Sequence, residues 1–470
     1  MSALVWFRRD LRLVDNPALC AALERDAKVV PVFCLDDRLL HGRFASGPRT
    51  QFLLESLTDV DRSLRERGSR LVVLRGRPEH ELPRLAQEVG AGEVHFTREV
   101  TPYGRLRGSE VHGAFAAARV AEHAHPGLNA VDDVAALTTK DGRPYSVFSP
   151  FHRSWLAAPR RDVLDAPARV PLPSGLEDGG GVPTLEQLGL EQEVEEPMRG
   201  GEGEGRRRVD AFLEQHVYDY RDNHNALGAD RNSRLSPYLH FGCLSPREIE
   251  DRLGDSEGEG AFRRQLCWRD FYHQVINRFP ESAREEFQER YRGTIQWTGG
   301  EDEFQAWTAG RTGFPLVDAG MRQLRHEGWM HNRARLVVGS FLTKELGIDW
   351  RRGEAWFMRL LLDGDEANNN GNWQWIASVG TDPQPFFRRM YNPASHMERF
   401  DPDGHYVRRY VPELGPVPDT YIREPWTMPI ETQEAVGCVI GSDYPAPIVE
   451  RKGARARAAE RYRTAAAATG

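Results

Sequence analysis

An unusual run of acids, amides and indoles occupies residues 360–380, LLLDGDEANNNGNWQWIASVG. Asp363 and Asp365 flank one glycine, three consecutive asparagines follow, and Trp373 and Trp375 form a Trp-x-Trp pattern. Asn and Asp favour turns because their side chains compete for backbone hydrogen bonds, and a buried Trp needs a partner for its N–H. Folding alone does not require this combination, so the run predicts a ligand that contacts acids, amides and indoles together.

A second candidate site is the stretch RNSRLSPYLHFG, in which Asn232, Ser233 and Ser236 surround Arg234 just before a helical pattern that opens at Pro237. Free N–H groups at helix N-termini bind phosphate, and hydroxyls and an arginine fork strengthen the binding. The stretch therefore predicts a phosphate site, with an ordinary helix N-cap as the alternative.

The stretch RQLCWRDFYHQ places Gln265 three residues before Trp268 on a predicted helix. Residues three apart share one helix face, so this amide and indole could stack a flat ring and bond its edge. Core packing of the indole is the alternative.

The stretch WMHNRARL contains Asn332, Arg333 and Arg335. Arg335 could pair with an acid of the Asp363–Asp365 turn. Desolvation offsets much of the attraction in a buried ion pair, so such a pair suggests a bound anionic or redox-active ring.

Several common sites are not supported. The five cysteines contain no C-x-x-C pair, and His326 and His331 are five residues apart rather than the four of a zincin helix. No G-x-S-x-G elbow occurs, and no G-x-G-x-x-G follows a strand pattern. We therefore predict no metal or iron–sulfur cluster, no serine hydrolase and no dinucleotide fingerprint.

Three segments follow from the patterns along the chain. Residues 1–130 alternate short apolar strand runs with helical stretches, which predicts a doubly wound parallel sheet and an α/β fold class. Residues 131–205 are rich in Pro, Gly and Glu, which is typical of a linker, and GGEGEG at 200–205 looks like a flexible spacer. Residues 206–470 have helical periodicity, which predicts an all-helical domain.

The net charge does not exclude a nucleic-acid partner, and the hydropathy pattern predicts no membrane span. The net charge is −8, but residues 171–205 hold nine acids and one arginine, so the rest of the chain is neutral and can still carry a basic face for nucleic acid. No apolar run is long enough to cross a bilayer, and the N-terminal charges follow the apolar segment, unlike a signal peptide. We expect a soluble, cytoplasmic protein.

Taken together, these stretches resemble the DNA photolyase and cryptochrome family, most of all bacterial class I cyclobutane pyrimidine dimer photolyases. The resemblance begins at WFRRDLRLVDNPAL (residues 6–19) and continues through SRLSPYLHFGCLSPRE, CWRDFY, GWMHNRARL and DGDEANNNGNWQW to YPAPIVERKGAR (residues 444–455). It implies a helical domain that binds FAD, an antenna pigment in the first domain, and a monomeric lyase that repairs damaged DNA with blue light.

The resemblance assigns flavin contacts to individual residues. Arg335 and Asp363 would pair beside the ring, Asp365 would meet its polar edge, and Asn369 would lie near its N5. The family usually has Thr where this chain has Asn232, which keeps a small polar side chain. The residues implied to bind FAD are Tyr220, Asn232, Ser233, Arg234, Leu235, Ser236, Arg269, Arg335, Asp363, Asp365 and Asn369.

The resemblance also implies an electron route and a DNA face. Trp373, Trp350 and Trp297 match the family's tryptophan chain from the flavin to the surface, and Gln265, Asn332 and Asn369 are implied to be catalytic. The residues implied to contact DNA are Gln265, Trp268, Asn332, Arg333, Trp375, Arg388, Arg389 and His396. Trp268 and Trp375 would stack a flipped pyrimidine dimer, with stacking of about 1–3 kcal/mol per base.

Two positions depart from the dimer-repairing pattern. Gln265 stands where those enzymes carry Glu, and Leu336 stands where Met is common. A Gln amide still donates and accepts hydrogen bonds but supplies no charge, so slower splitting is expected. The (6-4) photolyases place His at the positions of Asn332 and Leu336, so dimer repair ranks first, a blue-light receptor without repair second, and (6-4) repair third.

The antenna pigment is expected in the first domain. Folate-binding members have Asn-Glu where this chain has Tyr103 and Gly104. With Arg49 in GPRTQF, this favours a deazaflavin over a folate.

Overall fold

The computed structural model describes residues 2–26, 28–176, 181–382 and 384–468. Its N-terminal part contains one parallel sheet with the strand order β3-β2-β1-β4-β5. The strands are β1 Ser2–Phe7, β2 Lys28–Leu35, β3 Val72–Arg75, β4 Ala91–Thr97 and β5 Ala121–His125. This arrangement confirms the predicted parallel sheet.

Helices surround the sheet and are the main regular structure in the rest of the chain. They are α1 Pro17–Arg25, α2 Asp37–Leu40, α3 Gly47–Arg65, α4 Pro78–Glu88, α5 Pro102–Ala118, α6 Phe148–Ala157, α7 Glu202–Gln215, α8 Tyr220–Asn223, α9 Ser236–Phe241, α10 Pro246–Asp251, α11 Glu257–Arg278, α12 Glu301–Ala309, α13 Pro315–Glu327, α14 Asn332–Ser340, α15 Trp350–Leu360, α16 Glu366–Ala377, α17 Pro393–Phe400, α18 His405–Tyr410, α19 Ile430–Val436 and α20 Arg451–Ala467. The predicted helical C-terminal domain is thus confirmed. Among the described residues, no helix combines the length and apolarity needed to span a membrane.

Both faces of the sheet are covered. All six residues of β1 are buried. Alternate β1 residues pack with α1 and α3 on one face and with α4 and α5 on the other. Burial on both faces explains why the strand reads as a continuous apolar run rather than an alternating one.

The helical domain docks at the carboxyl end of β1. Strand order reverses between β1 and β4, which is where open α/β sheets usually bind ligands. Here the Leu11 N–H donates to the Phe241 carbonyl at 3.1 Å, and Arg9 Nε donates to the His240 carbonyl at 2.9 Å. A Cβ on Gly242 would lie 2.0 Å from the Arg9 carbonyl oxygen. The crevice is therefore filled by the second domain, and Arg9 reaches into it.

The segment predicted as a linker contains packed structure. Helix α6 lies within it, and buried Trp155 donates its indole N–H to Asp270 of α11 at 2.9 Å. The stretch expected to be a glycine-rich spacer instead begins α7, whose Glu202 accepts from the Leu13 N–H at 2.8 Å. A Cβ on Gly201 would lie 2.9 Å from Asp59, so this glycine serves close approach to α3 rather than flexibility. The three-part domain division stays a prediction.

Two features of the helical part position the site. Residues 314–346 do not form one continuous helix, because Gly328 ends α13 with φ of +63°. This break starts α14 at Asn332, beside α16. A Cβ on Gly371 would lie 2.1 Å from the Tyr272 ring, so glycine allows α16 to pack directly on α11.

Candidate FAD and DNA-lesion site

One cavity of about 460 Å³ lies among α8, α9, α11, α14 and α16. Its volume falls within the usual 300–1,000 Å³ range of ligand sites. All eleven residues implied to bind FAD line this cavity: Tyr220, Asn232, Ser233, Arg234, Leu235, Ser236, Arg269, Arg335, Asp363, Asp365 and Asn369. Residues from positions 220 to 369 therefore converge on one space, although their role toward FAD stays a prediction.

Asp365 organises the floor of the cavity. It is the N-cap of α16 and accepts from the Asn368 N–H at 2.8 Å. Its carboxylate also accepts from Arg9 and lies 3.4 Å from His273 Nε2. Burial alone would raise the pKa of Asp365, but the Arg9 charge and His273 hold it well below its usual range. This buried carboxylate is therefore ionised, and it is held by a residue from the N-terminal domain.

Arg335 and Asp363 form a two-pronged ion pair at the cavity wall. Arg335 donates to the two Asp363 oxygens at 3.2 and 2.8 Å. Ser236 also donates to Asp363, at 2.5 Å. The pair predicted from sequence is thus present. Its two parallel hydrogen bonds hold the Arg335 guanidinium in one orientation at the cavity wall.

In the stretch predicted to bind phosphate, the Arg234 guanidinium is already paired with two carboxylates. Arg234 adopts φ of +50° and pairs with Asp230 and Glu327 at 2.8 Å each. It also lies over the Trp329 ring at 4.5 Å. By contrast, Asn232 Nδ2 is buried and has no hydrogen-bond partner among the described residues. The donor that fits an oxygen-rich ligand here is the Asn232 amide, since two carboxylates already occupy Arg234.

Four of the residues implied to contact DNA line the same cavity. Gln265, Trp268, Asn332 and Trp375 all belong to its walls, and Gln265 and Asn332 are exposed. Trp268 stacks face to face on Phe148 with ring centroids 3.5 Å apart. One aromatic wall is therefore held rigidly by α6, from the segment predicted to be a linker.

Four residues implied to contact DNA lie outside the cavity lining. Arg333 bonds Asn225 at 2.5 Å, and the His396 ring nitrogen lies 3.1 Å from the Asn392 carbonyl oxygen. Arg388 is exposed. Arg389 is only 2% exposed and donates to the Trp375 carbonyl at 2.8 Å.

The placement of Arg389 calls for a correction. Its guanidinium lies 4.0 Å from the Trp375 ring and pairs with Asp382. A buried, paired cation does not offer its charge to a DNA phosphate, and the Arg389 guanidinium packs against Trp375 instead. The expectation of a phosphate contact fits exposed Arg388 instead.

The three tryptophans of the predicted electron chain lie at different depths. Trp373 lines the cavity, and Trp350 is fully buried. Trp297 is half-buried, and the guanidinium carbon of Arg461 lies 5.9 Å from the centroid of its ring. Trp350 donates its N–H to Glu286 at 3.4 Å. An electron route through these rings stays a prediction.

Arg49, predicted to contact an antenna, instead joins the two domains. It donates to the carbonyls of Phe44, Met358 and Leu361. A second cavity, of about 550 Å³, lies between α5 and the β4–β5 edge and does not include Arg49. The expectation of a deazaflavin antenna therefore gains no support from Arg49 and stays a prediction.

Arg9 is the main contributor that sequence reasoning missed. It lies in the WFRRD motif directly after β1 and reaches Asp365 across 356 positions of sequence. The only signal was its place at the carboxyl end of a central strand, where functional side chains concentrate.

Glu354 is a second missed residue, and it supports a pH-dependent prediction. It accepts from Asn370 at 3.0 Å, and its carbonyl accepts from Asn369. Burial raises the pKa of Glu354 to about 7, although Asn370 partly opposes the shift. The folded state therefore holds this proton more tightly than the unfolded state, and stability falls as pH rises from about 4.5 to about 7.

Glu354→Gln is expected to remove this loss of stability and to stabilise the protein above pH 7 by about 3 kcal/mol. Thermal unfolding of the FAD-bound protein at pH 5 and pH 8 measures it. Glu301→Gln is the control, because Glu301 is exposed and its pKa is lowered rather than raised. An unchanged pH dependence in Glu354→Gln would contradict the prediction.

Comparison with known proteins agrees with this geometry. A family model described as the FAD binding domain of DNA photolyase matches residues 262–464, and one described as DNA photolyase matches residues 3–173. The chain is 42% identical to a deoxyribodipyrimidine photo-lyase of Streptomyces griseus, over 97% of this chain and 98% of that protein. It is 36% identical to a cryptochrome DASH of Gloeobacter violaceus, over 96% of this chain and 93% of that protein.

A solved structure gives the same result for the fold. A bacterial class III photolyase from Agrobacterium tumefaciens superposes with a TM-score of 0.91 at 34% identity, over 99% of this chain and 97% of that chain. The two matched models together cover most of the chain, including nearly all of the sheet and the cavity residues from position 262 onward. The chain belongs to the photolyase/cryptochrome family.

Proposed function

We propose that this protein is a deoxyribodipyrimidine photo-lyase that splits cyclobutane pyrimidine dimers in DNA, using blue light and reduced FAD. The observation that carries the proposal is the shared cavity. Residues assigned to flavin, such as Asp365 and Asn369, and residues assigned to the lesion, such as Gln265 and Trp268, line one continuous space. A single site can therefore bring an electron donor and a pyrimidine dimer together.

The cavity fits FAD by the chemistry of its walls. The Arg335–Asp363 pair and Asp365 provide charged groups for the polar edge of the flavin, Asn369 provides a neutral amide, and Asn232 provides an unpaired donor. Bound in its reduced form, FAD supplies an electron after it absorbs a photon. The protein tunes this chemistry through nearby charges and hydrogen bonds.

The chain's own residues would hold the dimer. Trp268 and Trp375 offer flat faces, and their supports, Phe148 and Arg389, keep those faces in place. Flipping the two linked pyrimidines out of the duplex costs a few kcal/mol. Stacking on the two indoles, worth about 1–3 kcal/mol per base, offsets that cost. The Gln265 amide can donate to a thymine carbonyl and accept from an N–H.

The test is light-dependent loss of cyclobutane dimers from defined DNA by the purified, FAD-reduced protein. We expect loss under blue light and none in darkness. Gln265→Glu is expected to repair about fivefold faster, because a charged hydrogen bond exceeds a neutral one by about 1 kcal/mol. Gln187→Glu is the control, since it adds the same charge at an exposed site outside the cavity.

Two results would replace the proposal. Loss of (6-4) products instead of dimers would make the protein a (6-4) photolyase. Loss of neither lesion, with flavin bound and photoreducible, would make it a blue-light receptor, a candidate favoured by Gln265 and by the 36% identity to a cryptochrome DASH.

A further inference from the structure

A cluster of histidines lies on the sheet, outside the cavity described above. Glu93 and His95 belong to β4, and His123 and His125 belong to β5. Residues two apart in a strand point to the same face, and the parallel register places His95 opposite His123. Two strands thus bring one carboxylate and three imidazoles to one face of the sheet.

The spacing of the potential ligand atoms fits a metal ion. Glu93 Oε2 lies 3.4 Å from His95 Nε2 and 3.1 Å from His123 Nε2. The atoms offered by the three residues lie within 4.8 Å of one another. Zinc–nitrogen bonds of about 2.0–2.1 Å in a tetrahedron separate neighbouring ligand atoms by about 3.3–3.4 Å. The observed distances from the carboxylate are close to that value.

Two further observations point to a ligand. His123 Nε2 is buried, and although it lies 3.1 Å from Glu93 Oε2, it makes no aligned hydrogen bond to that carboxylate or to any other described residue. His95 Nδ1 lies 3.0 Å from His125 Nε2, which can fix the His95 tautomer. A metal-bound histidine commonly has such a second partner, which orients the ring and leaves the other nitrogen for the metal.

We propose that Glu93, His95 and His123 form a binding site for one divalent transition-metal ion, zinc in the first place. Two imidazoles and one carboxylate are a donor set that zinc uses with an open fourth position for water. Glu93 and His123 are each about a quarter exposed, which leaves a path from solvent. The sequence-based prediction of no metal considered cysteines and the His326–His331 pair, and the proposal revises it for this one site.

Arg25 of α1 competes with the ion. Its guanidinium bonds both Glu93 oxygens, at 3.0 and 2.9 Å. About half of the Arg25 side chain is exposed, so it can move aside. A positive charge this close weakens cation binding, and Arg25→Ala is therefore expected to bind zinc about tenfold more tightly than the wild-type protein.

The test is zinc content and affinity of the FAD-bound protein, prepared without a histidine tag. Equilibrium dialysis against micromolar Zn²⁺, followed by metal analysis, is expected to give one zinc per chain for the wild type. His123→Ala and His95→Ala are expected to lose it. His112→Ala is the matched control, because His112 also pairs with a carboxylate, Glu122, but lies outside the cluster.

The outcomes separate folding from binding. Stoichiometric FAD in each variant shows that it is folded, and His123, which is about a quarter exposed, is the safer site if replacing fully buried His95 disrupts the sheet. No zinc on the wild type, or equal zinc on His123→Ala, would overturn the proposal. Unchanged affinity in Arg25→Ala would place the ion away from Glu93 and overturn the assignment as well.

Discussion

Asp365→Ala is expected to yield a protein that purifies with little or no FAD and whose free energy of unfolding is lower by about 3–5 kcal/mol. The substitution leaves Arg9 in a buried site where the nearest other carboxylate among the described residues, Glu99, is 3.9 Å away. It also removes the N-cap of α16, worth about 1 kcal/mol. Because α16 carries Asn369 and Trp373, any shift at its start moves the cavity wall.

Two variants separate the charge of Asp365 from its capping role. Asparagine caps helices as well as aspartate does, so Asp365→Asn keeps the bond from the Asn368 N–H and loses only the charge. Asp349→Ala is the matched control, because the Asp349 side chain also caps a helix, α15, but is 30% exposed. The control is expected to lose only about 1 kcal/mol and to keep its FAD.

The contribution of the ion pair can be measured directly. If the cost of Asp365→Ala arises from a stranded Arg9, then Arg9→Leu combined with Asp365→Ala is expected to be less damaging than the sum of the two single changes. The measurements are flavin-to-protein ratio and denaturant unfolding. Strictly additive effects, or full FAD content in Asp365→Ala, would contradict the idea that this pair fixes the cavity.

Part of the cavity lining could be predicted because it is encoded locally, whereas distant members such as Tyr220 and Arg269 were assigned by the family resemblance. Asp363, Asp365 and Asn369 lie within seven residues, and their chemistry is visible before any fold is known. The parallel sheet was predictable for a similar reason, since β1 and β2 are continuous apolar runs. Helix α16 carries these residues because Asp365 caps it and Gly371 lets it pack on α11.

Features that depend on contacts between distant segments of the chain could not be predicted. Arg9 meets Asp365 only because the helical domain fills the crevice beside β1. Arg389 looks like a surface base in the sequence, yet its position under Trp375 buries it. His95 and His123 are 28 positions apart and meet only through the register of β4 and β5. In each case the missing information is a contact between distant segments, which no local pattern contains.

Trp373→Phe is expected to slow light-driven reduction of the bound flavin by an external thiol about tenfold or more. Trp373 is the one member of the predicted electron chain that lines the cavity, and a phenyl ring is much harder to oxidise than an indole. A Cβ on Gly353 would lie 2.2 Å from the Trp373 ring, so the site is tightly packed and accepts the smaller Phe without a clash. Flavin content is therefore expected to stay the same.

The variant also separates electron supply from repair. When its flavin is reduced chemically beforehand, Trp373→Phe is expected to split dimers at the wild-type rate, because none of the residues assigned to the lesion has changed. Loss of repair under these conditions would mean that Trp373 acts on the lesion reaction itself, and wild-type photoreduction would remove it from the electron route.

Two matched substitutions, Trp350→Phe and Trp307→Phe, can show which residue carries the electron beyond Trp373. The Trp307 ring lies 6.2 Å from Trp373 and is as fully buried as Trp350, but it is not part of the predicted chain. If electrons pass through Trp350 to half-buried Trp297, then Trp350→Phe slows photoreduction as Trp373→Phe does and Trp307→Phe does not. The opposite pattern would move the route to Trp307, whose proximity to the cavity tryptophan would then outweigh the sequence resemblance.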